Sequence, residues 1–106
     1  MELQYQITND KMVVQMPKEV DHHIAGGLGR EIDFLLDSWN IRTLEFDFSE
    51  TEFMDSSGIG VLIGRSKTME LHSGKVTAVH LGERVQKIFE KSGLYRIIET
   101  ECREGK

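Results

Sequence analysis

The chain has 106 residues, 39% hydrophobic and 29% charged, which suits one globular domain with a single core and leaves little room for a second. Its formal charge of -5 argues against nonspecific binding to nucleic acid or to an anionic membrane, and no apolar run approaches the ~20 residues of a membrane span. One cysteine, Cys102, excludes an intrachain disulfide, and the opening MELQYQITND lacks the basic and apolar regions of a secretory leader, so a cytoplasmic domain is expected.

Residues 3–8 (LQYQIT) and 12–16 (MVVQM) read as short strands joined across Asn9 and Asp10, a favourable hairpin pair. Pro17 ends the second strand because it lacks the ladder N–H. Ile24, Leu28, Ile32, Leu35, Leu36 and Trp39 then recur at steps of three and four, the spacing of a helix, with Asp21 or His22 near its start. Residues 43–48 (TLEFDF) alternate strictly and put Leu44, Phe46 and Phe48 on one face of a strand.

A second helix is expected over 57–71, with Ile59, Leu62, Ile63 and Met69 inward, and a further strand over 75–81 (KVTAVHL). Val85, Ile88 and Phe89 mark a third helix that stops at Gly93, with Leu94 beyond it. Residues 96–100 (RIIET) close the fold as a strand, and the charged residues after them are expected to fray. This order predicts a single α/β domain over 1–106, ordered over about 3–100 with a tail at 101–106. The sheet is expected to be mixed but largely parallel, four- to five-stranded, with right-handed crossovers and an antiparallel edge from the opening hairpin.

Residues 53–65, FMDSSGIGVLIGR, raise a chemical question, because they place an aspartate, two serines and three glycines where a helix starts. The topology puts Asp55, Ser56, Ser57 and Gly58 at the carboxyl edge of the sheet, where ligands of open α/β folds bind. Free backbone N–H groups and the helix dipole favour a negative charge there by about 0.3–1 kcal/mol. Two readings stand side by side. Ser56 or Ser57 simply caps the helix, worth about 1 kcal/mol; or a serine is presented to a partner. Glycine inside a helix costs about 0.8–1.0 kcal/mol relative to alanine, so Gly58, Gly60 and Gly64 need a reason, either close packing or clearance for a partner.

The same stretch resembles the signature of the anti-sigma factor antagonists, small bacterial proteins built on the STAS domain. EVDHH at 19–23 resembles the family's second signature, and SGLYRII at 92–98 its closing segment. The three together span essentially the whole chain. The resemblance implies that Ser56, the first serine of DSSG, is phosphorylated by a partner kinase that is itself the anti-sigma factor. It implies that the unphosphorylated form binds this ATP-dependent serine kinase and frees a sigma factor for transcription, and that a serine phosphatase reverses the modification. Asp21 matches the aspartate of the second signature, and with Asp55, Ser56, Ser57, Gly58, Ile59 and Gly60 it makes up the expected partner-binding surface. Asp21 as a cap of the first helix and Asp21 as a partner contact are compatible. DHH together with FMDSSG leans towards the sporulation type over the general-stress type.

On this reading the chain is not an enzyme and needs no cofactor, since ATP and magnesium belong to the kinase; no direct nucleic-acid or membrane partner is expected. A serine hydrolase is disfavoured because DSSG is not G-x-S-x-G. An aspartyl-phosphate receiver, suggested by Asp47 and Asp55, lacks an early acidic pair. The nearer alternative is a STAS scaffold or regulatory module that binds a partner or a nucleotide without a serine switch. GGLGRE at 26–31 fits no phosphate-loop pattern, and the four histidines have no metal-ligand spacing. Two departures from the family pattern remain. The glycines at 26–29 imply a weak or unusually close-packed helix start, and Pro17 leaves the shape of the Asp21 loop open.

Overall fold

The computed structural model describes residues 2–102. The chain opens with the antiparallel hairpin β1 (Gln4–Thr8) and β2 (Lys11–Gln15), reversed at Asn9 with a left-handed φ of 57° that asparagine tolerates. There follow β3 (Glu19–Val20), α1 (His22–Ser38), β4 (Thr43–Asp47), β5 (Phe53–Met54), α2 (Ser56–Leu71), β6 (Lys75–Leu81), α3 (Glu83–Ser92), a 3₁₀ turn at Leu94–Arg96, and β7 (Glu99–Cys102). The main sheet has the order β1-β2-β4-β6-β7 and is parallel throughout except for the opening hairpin.

Because every crossover steps in the same direction across the sheet, the right-handed rule puts all three helices on one face. Strand alternation then decides the core. Met12, Leu44 and Val76 stand in one register row and Val14, Phe46 and Ala78 in the next, and all six are buried. Leu28 and Ile32 of α1, Leu62 of α2 and Phe89 of α3 close over them in the same cluster, with Phe89 edge-on to Phe48 at 5.7 Å. The opposite face is polar, carrying the Lys11–Glu45 pair at 3.2 Å and a Thr77 hydroxyl that donates to Glu45.

Several boundaries differ from the sequence reading, each for a tertiary reason. Leu94–Arg96 winds into the 3₁₀ turn, so the last strand begins at Glu99 and includes Glu101 and Cys102 of the expected tail. Residues 103–106 of that expected tail lie outside the described residues. Trp39 continues the helical spacing, yet it follows the last turn of α1 in extended conformation and is 55% exposed. Gly93 ends α3 in the left-handed region at φ 81°, as its position suggested. Between β6 and β7 the register slips at His80, whose φ of 60° marks a bulge beside Val79 and Leu81.

Candidate functional site

The two shortest strands build the site. β3 and β5 form their own parallel ladder, Glu19 opposite Phe53 and Val20 opposite Met54. Backbone bonds extend it: Glu52 N donates to Lys18 O at 2.8 Å and Asp55 N to Val20 O at 3.1 Å. The Thr51 hydroxyl, almost fully buried, donates to Pro17 O at 2.8 Å. Pro17 therefore fits this loop through its carbonyl, where the missing N–H has no consequence. The loop before Asp21 and the loop before Asp55 are one tied unit.

Each short strand runs through an aspartate into a helix. Asp21 Oδ1 accepts from His23 N at 3.0 Å, and its carbonyl accepts from Ala25 N at 2.9 Å, so Asp21 caps α1, which starts at His22, two residues before Ile24. Asp55 Oδ1 accepts from Ser57 N at 2.9 Å and Gly58 N at 3.3 Å. Its other oxygen accepts from His22 N at 3.2 Å, with His22 Nδ1 at 3.9 Å. One carboxylate thus holds the first turns of both helices and offsets the positive ends of both dipoles.

Of the two readings of these serines, capping of the second helix by Ser56 or Ser57 is not the geometry found. Ladder pairing fixes residues 53–54 as extended, so the helix starts at Ser56 and the cap falls to Asp55. Ser56 is the exposed first residue of α2, and Ser57 behind it is half-buried. Released from capping, the Ser56 side chain stands at a helix N-terminus, on the same edge as Asp21.

The three glycines separate into two kinds. A Cβ on Gly58 would come within 2.5 Å of Met54 Cγ and 2.8 Å of Val20 O, so this glycine is buried to let α2 seat on the small ladder. Gly60 and Gly64 would meet nothing within 4 Å, and packing gives no reason for either. Ile59, between Gly58 and Gly60, is half-buried against the core. On α1, Gly29 is buried under the Arg65 guanidinium, which a Cβ would approach to 3.1 Å. Arg65 makes a two-point contact with Asp33, 2.6 Å from Nη2 to Oδ2 and 3.2 Å from Nε to Oδ1, clasping the two helices together. The close-packed alternative for GGLG is thus realised at Gly29. This clasp and the Thr51–Pro17 tie had no sequence signal, because each joins residues more than thirty apart.

Among the described residues no group of three His, Cys, Asp or Glu is placed to hold a metal ion, and His22 and His23 stack on each other at 4.0 Å. No helix among them is long and apolar enough to cross a membrane. Asp47, the residue behind the receiver comparison, accepts from Ser49 N at 2.9 Å.

A family model described as the STAS domain matches residues 2–105. An anti-sigma F factor antagonist of Lysinibacillus sphaericus is 27% identical over 88 residues, 83% of this chain and 75% of the relative. An anti-sigma-B factor antagonist of Listeria monocytogenes is 36% identical over 62 residues, 58% of this chain and 54% of the relative. Among solved structures, the anti-sigma factor antagonist SpoIIAA in its unphosphorylated form superposes with a TM-score of 0.83 at 27% identity, over 93% of this chain and 87% of that one. The phosphorylated form of the Bacillus cell fate determinant SpoIIAA superposes with a TM-score of 0.74 at 26% identity, over 93% of this chain and 90% of that one.

Proposed function

The chain belongs to the STAS domain family, and on that premise we propose that it is an anti-sigma factor antagonist whose binding is switched by phosphorylation of Ser56. The observation that carries this reading is Ser56 itself, an exposed hydroxyl at the first position of α2, with the cap supplied by its neighbour Asp55. A kinase partner transfers the γ-phosphoryl of ATP to Ser56 Oγ: the new O–P bond forms as the bond to ADP breaks, and the hydroxyl proton leaves to a base on the kinase. The product adds about -1.5 to -2 charge beside Asp55.

The α2 N-terminus accommodates that charge, so the fold persists, while a partner seated over Ser56 meets new bulk, a desolvation cost and repulsion of its own carboxylates. Gly60, one turn along α2 with open space where a Cβ would be, gives such a partner close access to the helix backbone. Asp21, Asp55, Ser56, Ser57 and Gly60 form the proposed contact surface, with Ile59 and the buried Gly58 beneath it. The similarity to anti-sigma factor antagonists supports the antagonist role, and the wider coverage of the sigma F-type relative favours the sporulation-type circuit. The same reading makes the partner an ATP-dependent anti-sigma kinase, with a phosphatase to reset the switch.

The test is capture from the source organism's extract with ADP and magnesium present, using wild type, Ser56→Asp and Ser57→Ala as baits. Retention of an ATPase-type anti-sigma kinase by wild type and Ser57→Ala, and its loss with Ser56→Asp, is the expected outcome. Equal retention by all three baits would show a scaffold without a serine switch.

A further inference from the structure

We propose that Phe53 is the docking anchor for the kinase that modifies Ser56, its ring entering an apolar pocket bordered by basic side chains on that protein. This rests on the reading of Ser56 given above. Phe53 is 48% exposed, yet its backbone is fixed in the small ladder, opposite Glu19 and with its N–H bonded to Lys18 O at 3.3 Å. Strand alternation turns Met54 into the core and leaves Phe53 and Asp55 on the outer side. An aromatic ring held on rigid backbone loses little freedom on docking, which favours its use as an anchor.

Position separates this ring from the other exposed apolar side chains. Trp39 follows α1, Leu71 ends α2 and Ile97 precedes β7, all at the edge where the parallel strands begin. Phe34 lies in the last third of α1, Tyr95 in the 3₁₀ turn after α3, and Tyr5, second in β1 opposite Val14, on the outer edge strand of the main sheet. Among the described residues, Phe53 is the large exposed apolar side chain carried by the small β3–β5 ladder, three residues from Ser56.

The surroundings are mainly acidic. Glu19 stands opposite Phe53 and Glu52 precedes it, both exposed, with exposed Glu50 and half-buried Asp21 and Asp55 in the same two loops. Lys18 in these loops and exposed Arg84 of α3, which lines the hollow beside Glu52, are the basic groups there. A partner covering this edge needs basic groups around a pocket for a single ring, the arrangement of an aromatic hot spot inside a polar rim. An anionic membrane, which also receives aromatic side chains, is repelled by the same carboxylates.

The kinase captured in the preceding experiment, once purified, is titrated calorimetrically with ADP and magnesium against wild type, Phe53→Ala, Phe53→Leu, Glu52→Lys and Leu71→Ala. Phe53→Ala is expected to weaken binding by about 30-fold, and Glu52→Lys by about fivefold with a smaller salt dependence. Leu71→Ala, which removes a still more exposed apolar side chain at the far edge, is expected to bind as wild type does. If Phe53→Ala binds with wild-type affinity, or if Leu71→Ala weakens binding as much, the anchor is overturned while the Ser56 switch stands. Should the alanine variant lose its folded spectrum, Phe53→Leu and Glu52→Lys decide, and wild-type affinity in both overturns the anchor. If wild type captures no kinase, both readings fall together.

Discussion

At the scale of single residues, two glycines a helical half-turn apart predict opposite outcomes. Gly58→Ala drives a methyl into Met54 and the Val20 carbonyl, and backbone cannot retreat as a side chain can. A loss of about 1–3 kcal/mol is expected from urea unfolding. Gly60→Ala meets open space inside a helix and is expected to gain about 0.4–1 kcal/mol. If Gly60 serves partner access, the same substitution also weakens kinase binding, so the variant is more stable and less active. A Gly60→Ala variant that is both stabilised and unimpaired in binding removes Gly60 from the contact surface. Asp55 illustrates what residue type alone cannot decide. Aspartate and serine are both good caps, and DSSG offers both within two positions; the choice was made by the pairing of Met54 with Val20, thirty-four residues away in sequence.

At the scale of elements, the sequence shows what its periodicity carries. The strict alternation of residues 43–48 correctly placed Leu44, Phe46 and Phe48 in the core, and the steps of Leu28, Ile32 and Leu35 correctly gave the inner face of α1. Two-residue strands have no period to read, so β3 and β5 were invisible although they shape the site. The expected last strand fails at its start, over 96–98, where Ile97 is exposed and buried Leu94 and Ile98 set the turn instead. Trp39 fits the helical spacing by coincidence of position, since extended backbone at the end of α1 takes it away from the core. The clasp between α1 and α2 yields a prediction at this scale. Asp33→Ala leaves the Arg65 guanidinium, whose side chain is 17% exposed, without its carboxylate. Because Asp33 itself is about half exposed, the expected cost is near 1 kcal/mol, read as a lowered urea midpoint. No change on this substitution would mean that packing over Gly29 alone holds the two helices.

For the whole molecule, the proposed switch is expected to be separable from the fold. Ser56→Asp is expected to keep the far-ultraviolet spectrum of wild type and to shift the melting midpoint by no more than about 4 °C, while abolishing capture of the kinase. Gross loss of structure in that variant would show that Ser56 supports the fold instead of signalling through it. The formal charge of -5 and the carboxylates around Phe53 predict that association with a basic partner face slows as ionic strength rises, with dissociation nearly unchanged. The paired arrangement of strand, aspartate and helix has one more consequence. Glu19-Val20-Asp21-His22 and Phe53-Met54-Asp55-Ser56 lie side by side in the same direction, so the molecule presents the same architectural sentence twice. The last word differs: a histidine opens one helix and a hydroxyl opens the other. A phosphorylating enzyme that recognised only the shape of this edge would find two equivalent addresses, and one that requires a hydroxyl acceptor would find it at the second alone.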